Sequence, residues 1–99
     1  METTTREFKR CVVVEASGRI DSATAPELAA VFDELTEEGK CNLVFDMGDI
    51  DFISSAGLRV LINTQKTCHR MNRGRLVLAN VPGPIYEAFD LAGFVALFD

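Results

Sequence analysis

Apolar residues recur along this chain in two rhythms, and each change of rhythm marks a new element. Residues 11–16, Cys-Val-Val-Val-Glu-Ala, are short, β-branched and closed by Ser17-Gly18, which predicts a strand ending in a turn. From Thr24 the period lengthens, and Ala25, Leu28, Ala29, Phe32 and Leu35 fall on one helical stripe. Thr24 and Glu27 match a capping box, Pro26 sits in the first turn where it forfeits no hydrogen bond, and Gly39 stands where the helix should stop.

Leu43-Val44-Phe45 is apolar on both alternating faces, the pattern of a strand flanked by other strands, and is placed centrally. A second helix is implied from Ser55 to Asn72 by Leu58, Leu61 and Ile62, with Arg59, Asn63, Lys66 and Arg70 on its other side and Gly74 ending it. Leu76-Val77-Leu78-Ala79 gives another strand and Pro82-Gly83 a turn. Ile85, Ala88, Phe89 and Ala92 then predict a short third helix, and Phe94 to Phe98 a last strand. Strands alternating with helices need crossovers, so the expectation is one α/β domain over residues 1–99. It has a mixed sheet of four or five strands, with helices packed mainly on one face.

Composition narrows what such a domain can do. At 99 residues with 47 % hydrophobic side chains it can bury one core. Fifteen acidic against ten basic residues leave a formal charge of −5, and no basic block stands out, so nucleic acid is not an expected partner. Cys11, Cys41 and Cys68 are odd in number and widely spaced, which suits reduced core fillers rather than disulfides or a zinc set. Residues 1–10 are polar and no run approaches the ~20 apolar residues of a membrane span, so a cytoplasmic protein with no membrane span is expected.

The informative stretch is residues 46–58, Asp-Met-Gly-Asp-Ile-Asp-Phe-Ile-Ser-Ser-Ala-Gly-Leu, which leaves the central strand and enters a helix through two adjacent hydroxyls. One serine is enough to cap a helix, worth ~1 kcal/mol, so the second is surplus to structure. The small Ala56-Gly57 pair lets another group come close. A helix N-terminus tolerates an added phosphate, which brings about −1.5 to −2 charges and can repel an acidic surface or block a close fit. Two serines before a helix also fit a plain cap that is never modified.

Phe52-Ile53-Ser54-Ser55-Ala56-Gly57-Leu58 resembles the signature of the STAS family. In its anti-sigma factor antagonists an acidic or serine residue precedes a phosphorylated serine, a small residue and Gly-Leu. Gly18-Arg19-Ile20-Asp21 followed by Thr24 is similar to a second family element, and Gly74-Arg75-Leu76-Val77-Leu78 to a third, in the family's order along almost the whole chain. The resemblance implies that Ser55 is the phosphoacceptor, with Ser54 the second candidate. Ser54 stands where many members have Asp, and Ala56 where a second hydroxyl is often found.

It further implies that Asp21, Thr24, Ser54, Ala56, Gly57, Arg59, Asn63 and Lys66 contact a partner. That partner would be an anti-sigma factor serine kinase of the histidine-kinase-like ATPase fold. The unphosphorylated chain would bind it and free the sigma factor; phosphorylation would release the chain, and a metal-dependent serine phosphatase would reset it. The chain itself would be a substrate, with no catalysis and no cofactor or metal of its own. Asp21 equally fits a turn residue before the Thr24 cap, and the Arg59 stripe a solvated helix face. A constitutive STAS subunit of a lipid-transport or stress-signalling complex is the alternative reading.

Other chemistry finds little support. Asp46, Asp49 and Asp51 lack the closing Glu of a calcium loop. Ser55 has no Gly-x-Ser-x-Gly setting, and His69 is the only histidine. The glycines form no phosphate-binding loop, and Phe89, Phe94 and Phe98 suit a core. The chain stops after its last apparent strand where many relatives continue into a helix, which would leave an apolar patch open to weak self-association.

Overall fold

A computed structural model describes residues 1–72 and 74–91. Its elements are β1 (Glu2–Glu7), β2 (Val12–Ile20), α1 (Ala25–Glu37), β3 (Asn42–Ile53), α2 (Ser55–Asn72), β4 (Arg75–Ala79) and α3 (Gly83–Leu91). The sheet order is β1-β2-β3-β4, with β1 antiparallel to β2 and the β2–β3 and β3–β4 pairs parallel. The mixed α/β sheet is as expected, with the Leu43–Phe45 strand in its interior. The expected strand at Phe94–Phe98, and Ala92, lie outside the described residues.

β1 has no counterpart in the sequence expectation, and β2 and β3 both run further than the sequence implies. β1 pairs along β2 from Glu2↔Ser17 to Glu7↔Val12 although every one of its residues is exposed. β2 does not end at Ser17-Gly18: it runs on to Ile20 through register shifts, with Gly18 at φ +100°. That conformation costs glycine little, so a glycine that reads as a turn here kinks a strand instead.

One face of the sheet carries the core. Val12, Val14 and Ala16 on β2, Leu43, Phe45 and Met47 on β3, and Leu76 on β4 are buried, while Val13, Val44 and Val77 on the other face are half-buried. α1 adds Ala25, Leu28, Phe32 and Leu35, and the Phe32 ring meets Phe45 edge-on at 5.5 Å. α1 stops as its Gly39 suggested: the Gly39 N–H (φ +81°) donates to Thr36 O and that of Lys40 to Leu35 O, the paired bonds of a glycine C-cap. On α3, Ile85 and Phe89 are buried but Ala88 is exposed, a correction to the expected stripe.

Gln65 was not singled out by sequence, yet it joins α2 to β4. Its amide accepts from Leu76 N–H at 2.8 Å and donates to Leu76 O at 2.9 Å, imitating a neighbouring strand where β4 would otherwise offer free backbone groups. The three cysteines are free thiols, and burial pushes Cys68 up to about 12, with buried Cys41 beside it. A thiol that stays protonated is a poor nucleophile. Alkylation of the native protein near pH 7.5 should therefore label half-buried Cys11 first and spare Cys41 and Cys68 until denaturant is added. Equal labelling of all three, read by peptide mass, would contradict this packing.

Candidate functional site

The carboxyl ends of β2 and β3 lie side by side, where open α/β sheets place their ligands, and both are followed by helix N-termini. Ile20 faces Ile53 in register, and the Ser54 N–H donates to Ile20 O at 2.8 Å, locking the two crossovers together. This brings Asp21 and Thr24 from one crossover next to Ser54 and Ser55 from the other.

The Asp21 turn is closed by its own side chains. Asp21 Oδ1 accepts from the backbone N–H groups of Ala23 (3.0 Å) and Thr24 (3.1 Å), while Thr24 Oγ1 accepts from Asp21 N–H (2.9 Å) and donates to Arg19 O (2.8 Å). The expected Thr24–Glu27 capping box is not formed: the Thr24 hydroxyl turns back into the loop and makes no bond to the helix. The N–H groups of Thr24 and Ala23 hold the Asp21 carboxyl below its ordinary value. A lowered folded-state value means that the stabilisation is present above the unfolded carboxylate range and is lost as pH falls through the folded one. The turn is thus fully held at neutral pH, with Oδ2 unpaired among the described residues.

At the start of α2 the two serines divide the work. Ser54 Oγ accepts from the Gly57 N–H at 3.3 Å and Ser54 O from the Leu58 N–H at 2.9 Å, so Ser54 is the cap and is half-buried. Ser55 is the first helical residue, exposed, and its hydroxyl takes part in no hydrogen bond among the described residues. An Asp at position 54 would cap the same N–H. Because 3.3 Å is long for such a bond, Ser54→Ala should cost only about 0.5–1 kcal/mol in urea unfolding. Ser54→Asp should be at least as stable as the native chain, since a carboxylate also favours the helix N-terminus. An unchanged stability in Ser54→Ala, or a loss in Ser54→Asp, would show that Ser54 is not the cap.

The other expected contact residues fall into two groups. Arg59, Asn63 and Lys66 are exposed on one stripe of α2 that begins at Ser55, whereas Ala56 is half-buried and Gly57 is buried against the strand ends. Gly57 therefore faces inward, and its smallness is used inside the fold. Sequence reading did not find Phe52, whose ring is 40 % exposed beside this site with the Arg19 guanidinium 4.4 Å from its centre. Cross-strand pairing of Arg19 with Phe52 sets that stack, and only the strand register reveals it.

No group of three or more metal-ligating side chains occurs among the described residues, and Asp46 instead accepts from Gly48 N–H and the Asn80 side chain. No described helix is long and apolar enough to cross a membrane.

Comparison with known proteins places the chain and its fold. BtrV of Bordetella bronchiseptica, named as an anti-sigma factor antagonist, is 32 % identical over 98 residues, covering 99 % of this chain and 84 % of the relative. The anti-sigma-B factor antagonist of Staphylococcus aureus is 26 % identical over 93 residues, covering 94 % and 83 %. The fold matches the Bacillus cell fate determinant SpoIIAA in its phosphorylated form with a TM-score of 0.79 at 16 % identity, over 99 % of this chain and 89 % of that one. The STAS domain model matches residues 2–99, and with the motif, the fold and the Asp21–Ser54–Ser55 constellation in place, this chain belongs to the STAS domain family.

Proposed function

We propose that this chain is an anti-sigma factor antagonist, a protein-binding switch that phosphorylation of Ser55 turns off. The observation that carries the reading is the division of labour at α2: Ser54 caps the helix, so Ser55 stands exposed with an unengaged hydroxyl. The relatives named as anti-sigma factor antagonists support the same role.

In this reading the unphosphorylated surface, built from Asp21, Thr24, Ser54, Ala56, Gly57 and the exposed Arg59, Asn63 and Lys66, engages an anti-sigma serine kinase of the histidine-kinase-like ATPase fold and frees its sigma factor in the cytoplasm. Thr24 and Gly57 act from within, by fixing the Asp21 turn and the helix position. The kinase supplies ATP and magnesium and transfers the γ-phosphoryl group to Ser55 Oγ, breaking its bond to the β–γ bridging oxygen and releasing ADP. The hydroxyl proton leaves with the kinase's base, and a metal-dependent phosphatase later restores the serine. The chain is the substrate and not the enzyme.

The test is peptide mass spectrometry of protein from its native cell. The tryptic peptide from Cys41 to Arg59 holds Ser54 and Ser55 as its only hydroxyl residues. Phosphate on Ser55 is expected, and Ser55→Ala should stay bound to the kinase while Ser55→Asp binds more weakly. A peptide unmodified through growth and stress would overturn the switch and leave a constitutive STAS subunit, in which Ser55 merely follows a cap.

A further inference from the structure

The two helices flanking this site carry opposite charge. α2 holds Arg59, Lys66 and Arg70 and no Asp or Glu, whereas α1, packed against it, holds Glu27, Asp33, Glu34 and Glu37 and no Lys or Arg. Arg59, Lys66 and Arg70 are exposed on the stripe that starts at Ser55. None of them is in an ion pair, because the ion pairs among the described residues belong to Arg6 and Lys40. A chain of net charge −5 thus concentrates three unpaired cations on one helix face.

We infer that this face of α2 docks an acidic patch on a folded protein partner, and that phosphate on Ser55 closes it by cancelling charge, with Arg59 as the internal counter-ion. The inference rests on Ser55 being the phosphoacceptor and adds the chemistry of the surface that Ser55 controls. Ser55 and Arg59 are four residues apart, so they meet one turn apart on the same helix face. A guanidinium binds phosphate through two parallel hydrogen bonds, which would take its donors away from the partner. Against three cations, a phosphate of about −1.5 to −2 leaves roughly +1 to +1.5 on the helix.

Charge complementarity also selects the class of partner. Arg59 to Arg70 spans about 16 Å along the helix axis, and Asp33 of α1 shares a groove with Asn63 at its side. A nucleic acid backbone extending past that stripe meets like charge, while a compact acidic patch on a protein fits within it.

The experiment uses protein carrying phosphoserine installed at position 55 during translation, so it does not depend on which kinase acts in the cell. The first readout is the phosphorus NMR titration. The second ionisation of the phosphate should lie below the ordinary value near 6, move back toward it in Arg59→Gln, and stay low in Arg59→Lys. An ionisation unaffected by Arg59→Gln overturns the counter-ion.

The second readout is titration of the isotope-labelled, unphosphorylated protein with a glutamate oligomer of about ten residues, long enough to cover the stripe. Amide shifts should map to Arg59, Asn63, Lys66 and Arg70, fade with added salt, and require several-fold more oligomer after phosphorylation. Shifts centred on Lys9 and Arg10, no binding at all, or an affinity that ignores phosphorylation would overturn the docking face. If native protein proves never to be modified at Ser55, the switch fails while these two readouts keep their meaning, which separates the two failures.

Discussion

Gly74→Ala should destabilise the fold by about 3 kcal/mol or more, the upper end of what overpacking costs. A Cβ built at Gly74 falls 2.6 Å from the carbonyl carbon of Cys41 and meets its carbonyl oxygen as well. Those are backbone atoms, so no side-chain rotation relieves the contact. Cys41 leads into β3 and Gly74 into β4, and the next residues, Asn42 and Arg75, are already paired in the parallel ladder. The collision must therefore push these neighbouring strands apart or shift the end of α2, whose Cys68 O accepts the Gly74 N–H at 3.1 Å.

Urea unfolding measures the loss directly. With a slope of about 1–3 kcal/mol per molar, the midpoint should fall by roughly 1–3 M, a large share of the stability of a domain this size. An unchanged midpoint would mean that the two backbones are not in contact. Gly74 reads from sequence as a helix terminator. The structure gives it a second reason to be glycine, which lies in a strand brought alongside from thirty-odd positions earlier in the chain.

That case shows what the sequence carries and what it does not. α1 and α2 were legible because their apolar residues repeat at helical spacing, and Gly39 marked its helix end through a left-handed φ that is a local property. β1 was not legible: Glu2–Glu7 is exposed throughout, so no alternation betrays it, and only pairing with β2 makes it a strand. The extension of β3 through Asp46–Asp51 ran against strand propensity. It is supported by bonds from Asp46 to Gly48 and Asn80 that a local pattern cannot reveal.

At the site, two adjacent serines announced a cap and a spare hydroxyl, but which was which depends on where β3 stops. That is fixed at Ile53 by its register with Ile20. The Thr24–Glu27 box was a sound local reading that lost to the Asp21 turn, because the hydroxyl's bonds to Arg19 O and Asp21 N–H close the crossover itself.

Gly57→Ala tests whether the position of α2 and the presentation of Ser55 are one property. Inside a helix the change should by itself stabilise, by up to ~1 kcal/mol, since alanine is the better helix former. Here the new Cβ would lie 2.6 Å from Ile20 Cγ2 and 2.7 Å from Ile53 Cγ1. Both atoms are bonded directly to a Cβ, so they move only if a stiff, β-branched side chain changes rotamer or the backbone shifts. Ile20 is fully buried and has nowhere to turn.

With two contacts under 3 Å the overpacking falls in the upper part of the ~1–3 kcal/mol range and outweighs the helix gain, and a net loss of about 1–2 kcal/mol should lower the melting temperature by roughly 4–16 °C for a domain near 100 residues. Relief comes by lifting the first turn of α2 off the strand ends. That strains the Ser54 N–H bond to Ile20 O and the Ser54 cap on Gly57 N–H together. Ser55 rides on that turn, so under the proposed switch its phosphorylation by a partner kinase should slow by more than the small unfolded fraction explains, when rates are compared well below the melting transition. A variant that melts lower but is phosphorylated at the native rate would separate the two, leaving Gly57 a packing residue with no role in aiming Ser55.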